Sequence, residues 1–172
     1  MTPPPTVFIE KGRMFAGTMD TQNNKLPQRK HPRLKNYNYA QNNSYFVTIC
    51  AHEKKYIFGK PQELSIFGKI AADTLTEIPR HFPDIAIDHF VVMPNHVHAI
   101  LSVTCAGTDL SVVIGQYKAH VTKQIHQAAP GIQVWQTSFH DHIIRNDVDY
   151  TRIWNYIDGN PLKWEDDCFY CG

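Results

Sequence analysis

The sequence contains no apolar run that approaches the ~20 residues needed to span a bilayer. Its opening segment, MTPPPTVFIE, lacks the basic start and apolar centre of a secretory signal peptide. The net charge is only +1, so no overall positive field indicates a nucleic-acid partner. No internal repeat is present, and 172 residues are enough for one full core but not for two. These features predict a single-domain cytoplasmic protein.

Cysteines are few, at four. Cys50 and Cys105 lie in apolar, strand-like segments and are expected to be buried free thiols. Cys168 and Cys171 form one C-x-x-C near the end, but no second C-x-x-C is present to complete a zinc site. A frayed tail is therefore expected there, and whether this pair binds anything stays open.

The small net charge is unevenly distributed. Residues 1–35 contain seven Lys or Arg against two acidic residues, and they show no sustained hydrophobic period. We predict a basic, irregular N-terminal arm over 1–35, one folded domain over 36–165 and a short tail over 166–172. Most such charge runs are simply solvated, although a basic arm can also contact phosphate.

Hydrophobic patterns predict the order β-α-β-β-α-β-α. The strands are placed at residues 45–50, at 85–92, after the turn at 93–95, and at 133–144. The three helices are expected to begin at Ser65, near Asp109 and around Asn146. This order is typical of an α+β domain with a split β-α-β, ferredoxin-like or RRM-like antiparallel sheet and helices packed on one face.

The third strand carries the first candidate site. His96 and His98 are two residues apart, so both imidazoles project from the same face of the strand. The apolar residues on the opposite face are Val97, Ala99, Leu101 and Val103. Two imidazoles side by side can form half of a divalent-metal site, although surface or hydrogen-bonded histidines show the same spacing.

The last helix carries the second half of the candidate site. Tyr156 and Asn160 are four residues apart and therefore lie on one helix face, at the edge of its apolar stripe. A tyrosine can act as a nucleophile if a cation or base lies nearby, and an asparagine oxygen suits a hard metal. Together with His96 and His98, Asn160 can hold Mg²⁺ or Mn²⁺ beside the Tyr156 hydroxyl.

Three motifs in this order resemble one family. They are M-P-N-H-V-H, the segment with Trp135, Gln136, His142, Ile143, Ile144 and Arg145, and the helix end Y-I-x-x-N-P. The chain resembles the single-tyrosine transposases of the HUH endonuclease superfamily, and within them the REP-associated tyrosine transposases. The likeness extends from about Arg33 to Lys163.

The resemblance implies a metal-dependent endonuclease and strand transferase that acts on single-stranded, hairpin-containing DNA. By matching positions, His96 and His98 would be the HUH pair, Asn160 the third metal ligand and Tyr156 the nucleophile. Attack would leave a 5′-phosphotyrosine on the protein and a free 3′-OH on the released strand. The family contains homodimers that exchange the tyrosine helix as well as monomers, so both states stay open.

Several further residues are candidates for contacts with DNA phosphates. They are Arg29, Lys30, Arg33, Lys118, Lys123, His142, Arg145 and Arg152. Tyr117 is a rival nucleophile, but its place in the apolar stripe of its helix favours core packing. His140 forms a second H-x-H with His142, which favours a polar strand edge over a second metal site.

Two other functions compete with the transposase. A non-catalytic module that binds hairpin DNA or RNA would use the sheet as a platform, but such modules usually display aromatic residues there. A zinc hydrolase would use both H-x-H pairs with water as its nucleophile. The paired histidines together with the tyrosine and asparagine favour the transposase.

Overall fold

The computed structural model describes residues 38–40, 42–105 and 107–170. Chain contacts divide the protein after Lys30, and all described residues belong to the unit His31–Gly172. The predicted basic arm, with Arg29, Lys30 and Arg33, lies outside the described residues, as does Cys171.

The elements follow the predicted order. The strands are β1 Asn43–Cys50, β2 Gly59–Lys60, β3 Glu63–Leu64, β4 Ile85–Met93, β5 His96–Val103 and β6 His140–Ile144. The α-helices are α1 Ile66–Thr76, α2 Ile78–His81, α3 Leu110–Ala128 and α4 Asp147–Gly159, with short 3-10 helices at His52–Lys54 and Asn160–Asp166. The β2–β3 hairpin was not predicted. The last strand is shorter than the predicted 133–144, and an isolated bridge from Trp135 to Ala51 is its only earlier pairing in the described chain.

The four long strands form one sheet in the order β4-β5-β1-β6, and every neighbouring pair is antiparallel. This order is that of a ferredoxin-like, split β-α-β sheet, as predicted. The register of β1 against β5 sets Cys50 opposite His96 and Thr48 opposite His98. The two histidines therefore lie in the interior of the sheet, on one of its two central strands and beside the other.

Each predicted helix start is confirmed by a side-chain cap. The Ser65 hydroxyl accepts from the backbone N–H of Gly68, and the Asn146 side chain accepts from that of Asp149. Asp109 caps α3 in the same way. Such caps satisfy backbone donors that have no partner within the helix. None of the helices in the described segments is long and apolar enough to cross a membrane.

The main core lies between the sheet and the helices α1 and α3. On β5 it takes the four residues predicted to face inward, Val97, Ala99, Leu101 and Val103. From the helices it takes Ala71, Leu75, Val113, Ile114, Tyr117, Val121 and Ile125.

The prediction that the helices share one face of the sheet is wrong. Helix α4 packs on the opposite face, where Ile153 and Ile157 contact Ile100 and Ile144 in a second apolar cluster. The physical reason is that β5 and β6 carry apolar side chains on both faces, so helices must pack on both faces to bury them. As a result, α4 lies on the face from which the histidines project.

One cysteine prediction is confirmed and one is wrong. Cys50 is buried, and burial raises the pKa of its thiol to about 11, which keeps it protonated and unreactive at neutral pH. Cys105 is exposed, because the strand ends at Val103 and Cys105 lies two residues beyond it.

Candidate active site

The two histidines of β5 form the base of the site. His96 is 0% exposed and His98 is 1% exposed, and their Nε2 atoms lie 2.9 Å apart. The i, i+2 spacing on a strand places both rings under α4 and the segment that follows it. The predicted pairing of the imidazoles on one face is therefore present.

Asn95 fixes the protonation of His96. Its side-chain amide donates to the backbone carbonyls of Lys54, at 3.2 Å, and Phe169, at 2.8 Å. The remaining Asn95 oxygen faces Nδ1 of His96 at 2.8 Å, so Nδ1 must carry the hydrogen and donate it. Nε2 of His96 then presents a lone pair to the site, as a metal ligand requires.

His98 is held between β1 and α4. Its Nδ1 lies 2.8 Å from the Thr48 hydroxyl, and its Nε2 lies 3.3 Å from the hydroxyl of Tyr156. Burial lowers the pKa of His98 well below 6.5 and that of His96 to about 4. Both imidazoles are therefore neutral at neutral pH, which is the form that binds metal.

We expect these lowered pKa values to make the metal-free protein acid-sensitive. An unfolded histidine titrates near 6.5, so below that pH the unfolded chain binds more protons than the folded one. The free energy of unfolding should fall as pH drops from 6.5 towards 4, by up to about 1.4 kcal/mol per pH unit for each histidine, and stay flat above 6.5. Urea unfolding in EDTA from pH 7.5 to 5 measures this slope. A His96→Gln, His98→Gln variant with the same slope would contradict the assignment.

The end of helix α4 carries the two other predicted site residues, Tyr156 in its last turn and Asn160 directly after it. Asn160 is buried, and its amide nitrogen donates to Oδ2 of Asp167 at 2.8 Å. Its Oδ1 is buried without a hydrogen-bond partner among the described residues. A buried oxygen with no donor is costly unless something else binds it, and a cation would do so.

Tyr156 lies at the edge of the site, with 43% of its surface exposed. Its hydroxyl donates to Oδ2 of Asp167 at 3.2 Å. Burial of the hydroxyl, followed by the negative charge of Asp167, raises the pKa of Tyr156 to about 12. The phenol is therefore protonated at neutral pH, and a positive charge beside it is needed to favour the phenolate.

Asp167 was not predicted as a site residue. Sequence patterns place it in an acidic run, which usually indicates only a solvated tail. In the structure, the 3-10 helix Asn160–Asp166 turns the chain back over the histidines, and the Phe169 ring packs 4.6 Å from that of His96. The expectation of a frayed tail is therefore wrong for residues 166–170.

These donors fit a divalent cation. The ligand atoms of His96, His98 and Asp167 lie within 4.8 Å of one another. Asn160, whose amide nitrogen donates to Asp167, has an amide oxygen with no hydrogen-bond partner among the described residues. Two neutral imidazoles with a carboxylate and an amide oxygen suit Mn²⁺, and Mg²⁺ is acceptable to the oxygen ligands.

The rival nucleophile, Tyr117, belongs to the core. It is buried on the other side of the sheet, and its hydroxyl donates to the backbone carbonyl of Ala71 at 3.1 Å. Burial raises the pKa of this hydroxyl. The structure thus separates Tyr117 from the paired histidines.

Those candidate phosphate-binding residues that the structure describes lie in two places outside this centre. Lys118 and Lys123 line a groove of about 780 Å³ beside the segment 132–137, where the Lys118 ammonium donates to the carbonyl of Gln136 at 2.6 Å. His142, Arg145 and Arg152 are exposed around the end of β6 and the start of α4.

Asp149 holds two of these residues. Its carboxylate lies 2.7 Å from Nε2 of His142 and 2.5 Å from the guanidinium of Arg152. His140 is exposed at the start of β6 and does not belong to the metal-ligating group found among the described residues.

Comparison with known proteins gives a consistent result. The family model "Transposase IS200 like" matches residues 47–160. An uncharacterised protein of Haemophilus influenzae is 32% identical in an alignment of 170 residues. The alignment covers 84% of this chain and 94% of that protein. A REP-associated tyrosine transposase of Escherichia coli is 27% identical over 125 residues, covering 73% of this chain and 70% of the relative.

A solved structure shares the fold. A REP-associated tyrosine transposase bound to a REP hairpin superposes with a TM-score of 0.59 at 24% identity, over 77% of this chain and 73% of that one. The chain belongs to the IS200-like transposase family.

Proposed function

We propose that this protein is a metal-dependent, single-tyrosine transposase that cleaves and joins single-stranded DNA through a 5′-phosphotyrosine. The observation that carries the proposal is the 3.3 Å contact between the Tyr156 hydroxyl and Nε2 of His98. This contact supports the proposal because the Tyr156 phenol, the proposed nucleophile, lies beside a neutral imidazole pair in a chain of the transposase family. The hairpin in the related structure supports hairpin-containing DNA as the substrate class.

The metal site of the proposal consists of His96, His98 and Asn160, with Asp167 as a fourth donor. A bound Mg²⁺ or Mn²⁺ would polarise the scissile phosphate and favour the phenolate of Tyr156. The Asn95 contact keeps the ligand nitrogen of His96 unprotonated, and Thr48 orients the ring of His98. These outer contacts make the imidazole pair a ready-made ligand set.

The proposed reaction exchanges one phosphodiester for another. The Tyr156 oxygen forms a bond to phosphorus while the bond from phosphorus to the 3′ oxygen breaks. The phenol releases its proton to solvent, which reaches its exposed edge, and the departing 3′ oxygen takes up a proton. Attack by a second 3′-OH on the phosphotyrosine reverses these steps and joins the strands, so no nucleotide cofactor is needed.

The positive side chains outside the centre would bind the DNA backbone. Lys118 and Lys123 share one groove, and His142, Arg145 and Arg152 surround the start of α4. The arm residues Arg29, Lys30 and Arg33 would add further phosphate contacts. Each such contact contributes salt-dependent affinity without sequence preference.

The proposed site is complete within one chain. In this proposal Tyr156 acts in the site of its own chain, which the packing of α4 on that chain's sheet supports. A monomer would then suffice, and a homodimer would contain two such sites. A DNA-processing enzyme of this type would act in the cytoplasm.

The test uses single-stranded oligonucleotides that carry an imperfect hairpin and a label at either end. Incubation with Mn²⁺ should give an SDS-resistant protein–DNA band that carries the 3′ label, because the tyrosine retains the 5′-phosphate of the downstream piece. Metal-independent hairpin binding with no cleavage of any substrate would instead indicate the non-catalytic binding module.

Asp167 provides a separate prediction. In Asp167→Asn the site keeps a similar shape but loses the charged oxygen, so the affinity for Mn²⁺ should fall by about tenfold or more. Calorimetric titration of the purified protein with Mn²⁺ measures this directly. The matched control is Asp166→Asn, an adjacent and exposed carboxylate that is not part of the ligand group. Equal affinities for the two variants would remove Asp167 from the site.

A further inference from the structure

Strand β4 contains an irregularity directly opposite helix α4. Ile87 pairs with Leu101, but the next paired residue is His89, opposite Ile100, so Asp88 has no partner in the ladder. An extra residue on one strand is a β-bulge, and a bulge redirects the side chains around it.

The bulge turns two consecutive residues toward the same helix. Ile87 and Phe90 both pack against the main core, although residues three apart on a regular strand face opposite sides. The two residues between them, Asp88 and His89, both contact α4 on the other side. A regular strand could present only one of the two.

Asp88 holds the first turn of α4 by directed hydrogen bonds. Its Oδ2 accepts from the Tyr150 hydroxyl at 3.0 Å and from the Ser102 hydroxyl at 2.5 Å. The Ser102 oxygen lies 2.7 Å from that of Ser44. One network thus joins α4 to strands β4, β5 and β1.

His89 packs against the next two turns, chiefly through its ring. Its ring stacks on Trp154 with centroids 4.2 Å apart and planes inclined by 12°, and its Nε2 lies 3.5 Å from Oδ1 of Asp158. The three residues of α4 that the bulge contacts, at 150, 154 and 158, are four apart and form one stripe along the helix.

Away from the bulge, α4 contacts the sheet through the pair of Asp149 and His142 near its first turn and, further along, through apolar contacts that lack direction. Ile153 and Ile157 contact Ile100 and Ile144, and such contacts tolerate sliding and rotation. A helix advances about 1.5 Å and turns about 100° per residue, so a shift of one residue would carry the Tyr156 hydroxyl away from the histidines. The hydrogen bond from Tyr150 to Asp88 and the stacking of His89 on Trp154 depend on orientation, so they can fix the rotation and axial position that the apolar contacts leave free.

We propose that Asp88 and His89, acting through Tyr150 and Trp154, are positioning residues that fix the rotation and axial position of α4 and so hold Tyr156 against His98. The structural part of this proposal stands by itself. Its effect on a reaction rate rests on the proposed function.

The structural part is tested without DNA or metal. The Tyr156 ring lies 5.3 Å from that of His98 and 6.0 Å from that of Phe46, so NMR should show cross-relaxation between these rings. In Tyr150→Phe, which removes only the hydroxyl, we expect these signals to weaken by at least half. The signals between Ile157 and Ile100 should persist, because the helix stays on the sheet.

The functional part is tested by the rate of covalent adduct formation on a hairpin oligonucleotide with saturating Mn²⁺. Because small misplacements of reacting groups have large effects, Tyr150→Phe should lower this rate by about tenfold to a hundredfold. Saturating Mn²⁺ separates this rate loss from any weaker metal binding, which is expected because Asn160 and Asp167 follow α4 while the histidines belong to the sheet. Asp88→Ala should have the same effect, and Asp88→Asn, which keeps an acceptor oxygen, should recover most of the rate.

The matched control is Tyr117→Phe, which removes a tyrosine hydroxyl bonded to a backbone carbonyl on the opposite side of the sheet. Its free energy of unfolding should fall about as much as that of Tyr150→Phe. Its rate of adduct formation and its Tyr156 ring signals should stay those of the wild-type protein. Unchanged Tyr156 ring signals in Tyr150→Phe, or equal rate losses in both tyrosine variants, would overturn the positioning role. If the wild-type protein forms no adduct, the proposed function fails, and the ring signals still decide the structural part.

Discussion

Tyr156→Phe is expected to abolish the covalent protein–DNA adduct. The substitution removes one oxygen, the only atom of Tyr156 that can form the bond to phosphorus. Loss of a nucleophile typically lowers turnover by about 10⁶-fold, so the variant should give no detectable SDS-resistant band with any hairpin oligonucleotide. The band is measured on denaturing gels with 3′-labelled DNA and Mn²⁺.

The fold should survive this change. Tyr156 as a residue is 43% exposed, and loss of the hydrogen bond from its hydroxyl to Asp167 should alter the free energy of unfolding by no more than about 1 kcal/mol. Tyr56→Phe is the matched control, because Tyr56 is 46% exposed and Tyr156 43%. The control should form the adduct at the wild-type rate. An adduct that persists in Tyr156→Phe would assign the nucleophile to another residue.

Much of the site could be predicted because it depends on local periodicity. The i, i+2 spacing of His96 and His98 fixes a common face on any strand, and the i, i+4 spacing of Tyr156 and Asn160 fixes a common face on any helix. The structure brings all four residues together. The roles assigned to them stay predictions, since they depend on chemistry that geometry alone does not determine.

The unpredicted features come from contacts distant in sequence. Asp167 reaches the site only because a 3-10 helix reverses the chain after Asn160, and an acidic run near a terminus carries no signal of that turn. The bulge at Asp88 could not be predicted from the sequence either, because the residues around it have the pattern of one continuous strand. The placement of α4 on the second face depends on how much apolar surface β5 and β6 leave uncovered, which emerges only when the sheet assembles.

The second large effect concerns the metal. His98→Ala removes the imidazole that contacts both His96 and Tyr156, at 2.9 and 3.3 Å. Loss of an outer partner of a metal ligand costs about 10–100-fold in affinity, so loss of a ligand itself should lower the affinity for Mn²⁺ by more than about 100-fold. Calorimetric titration gives the affinity, and adduct formation should disappear at Mn²⁺ concentrations that saturate the wild-type protein.

Thr48→Val is the graded control for this prediction. It keeps His98 but removes the hydroxyl 2.8 Å from Nδ1, so its affinity for Mn²⁺ should lie between those of wild type and His98→Ala. Thermal unfolding offers a readout independent of DNA. At a Mn²⁺ concentration about 100 times the Kd, binding should add about 2.7 kcal/mol to the wild-type free energy of unfolding and almost nothing to that of His98→Ala. Equal stabilisation of the two proteins would place the metal elsewhere, because a ligand stabilises only a fold that retains its binding site.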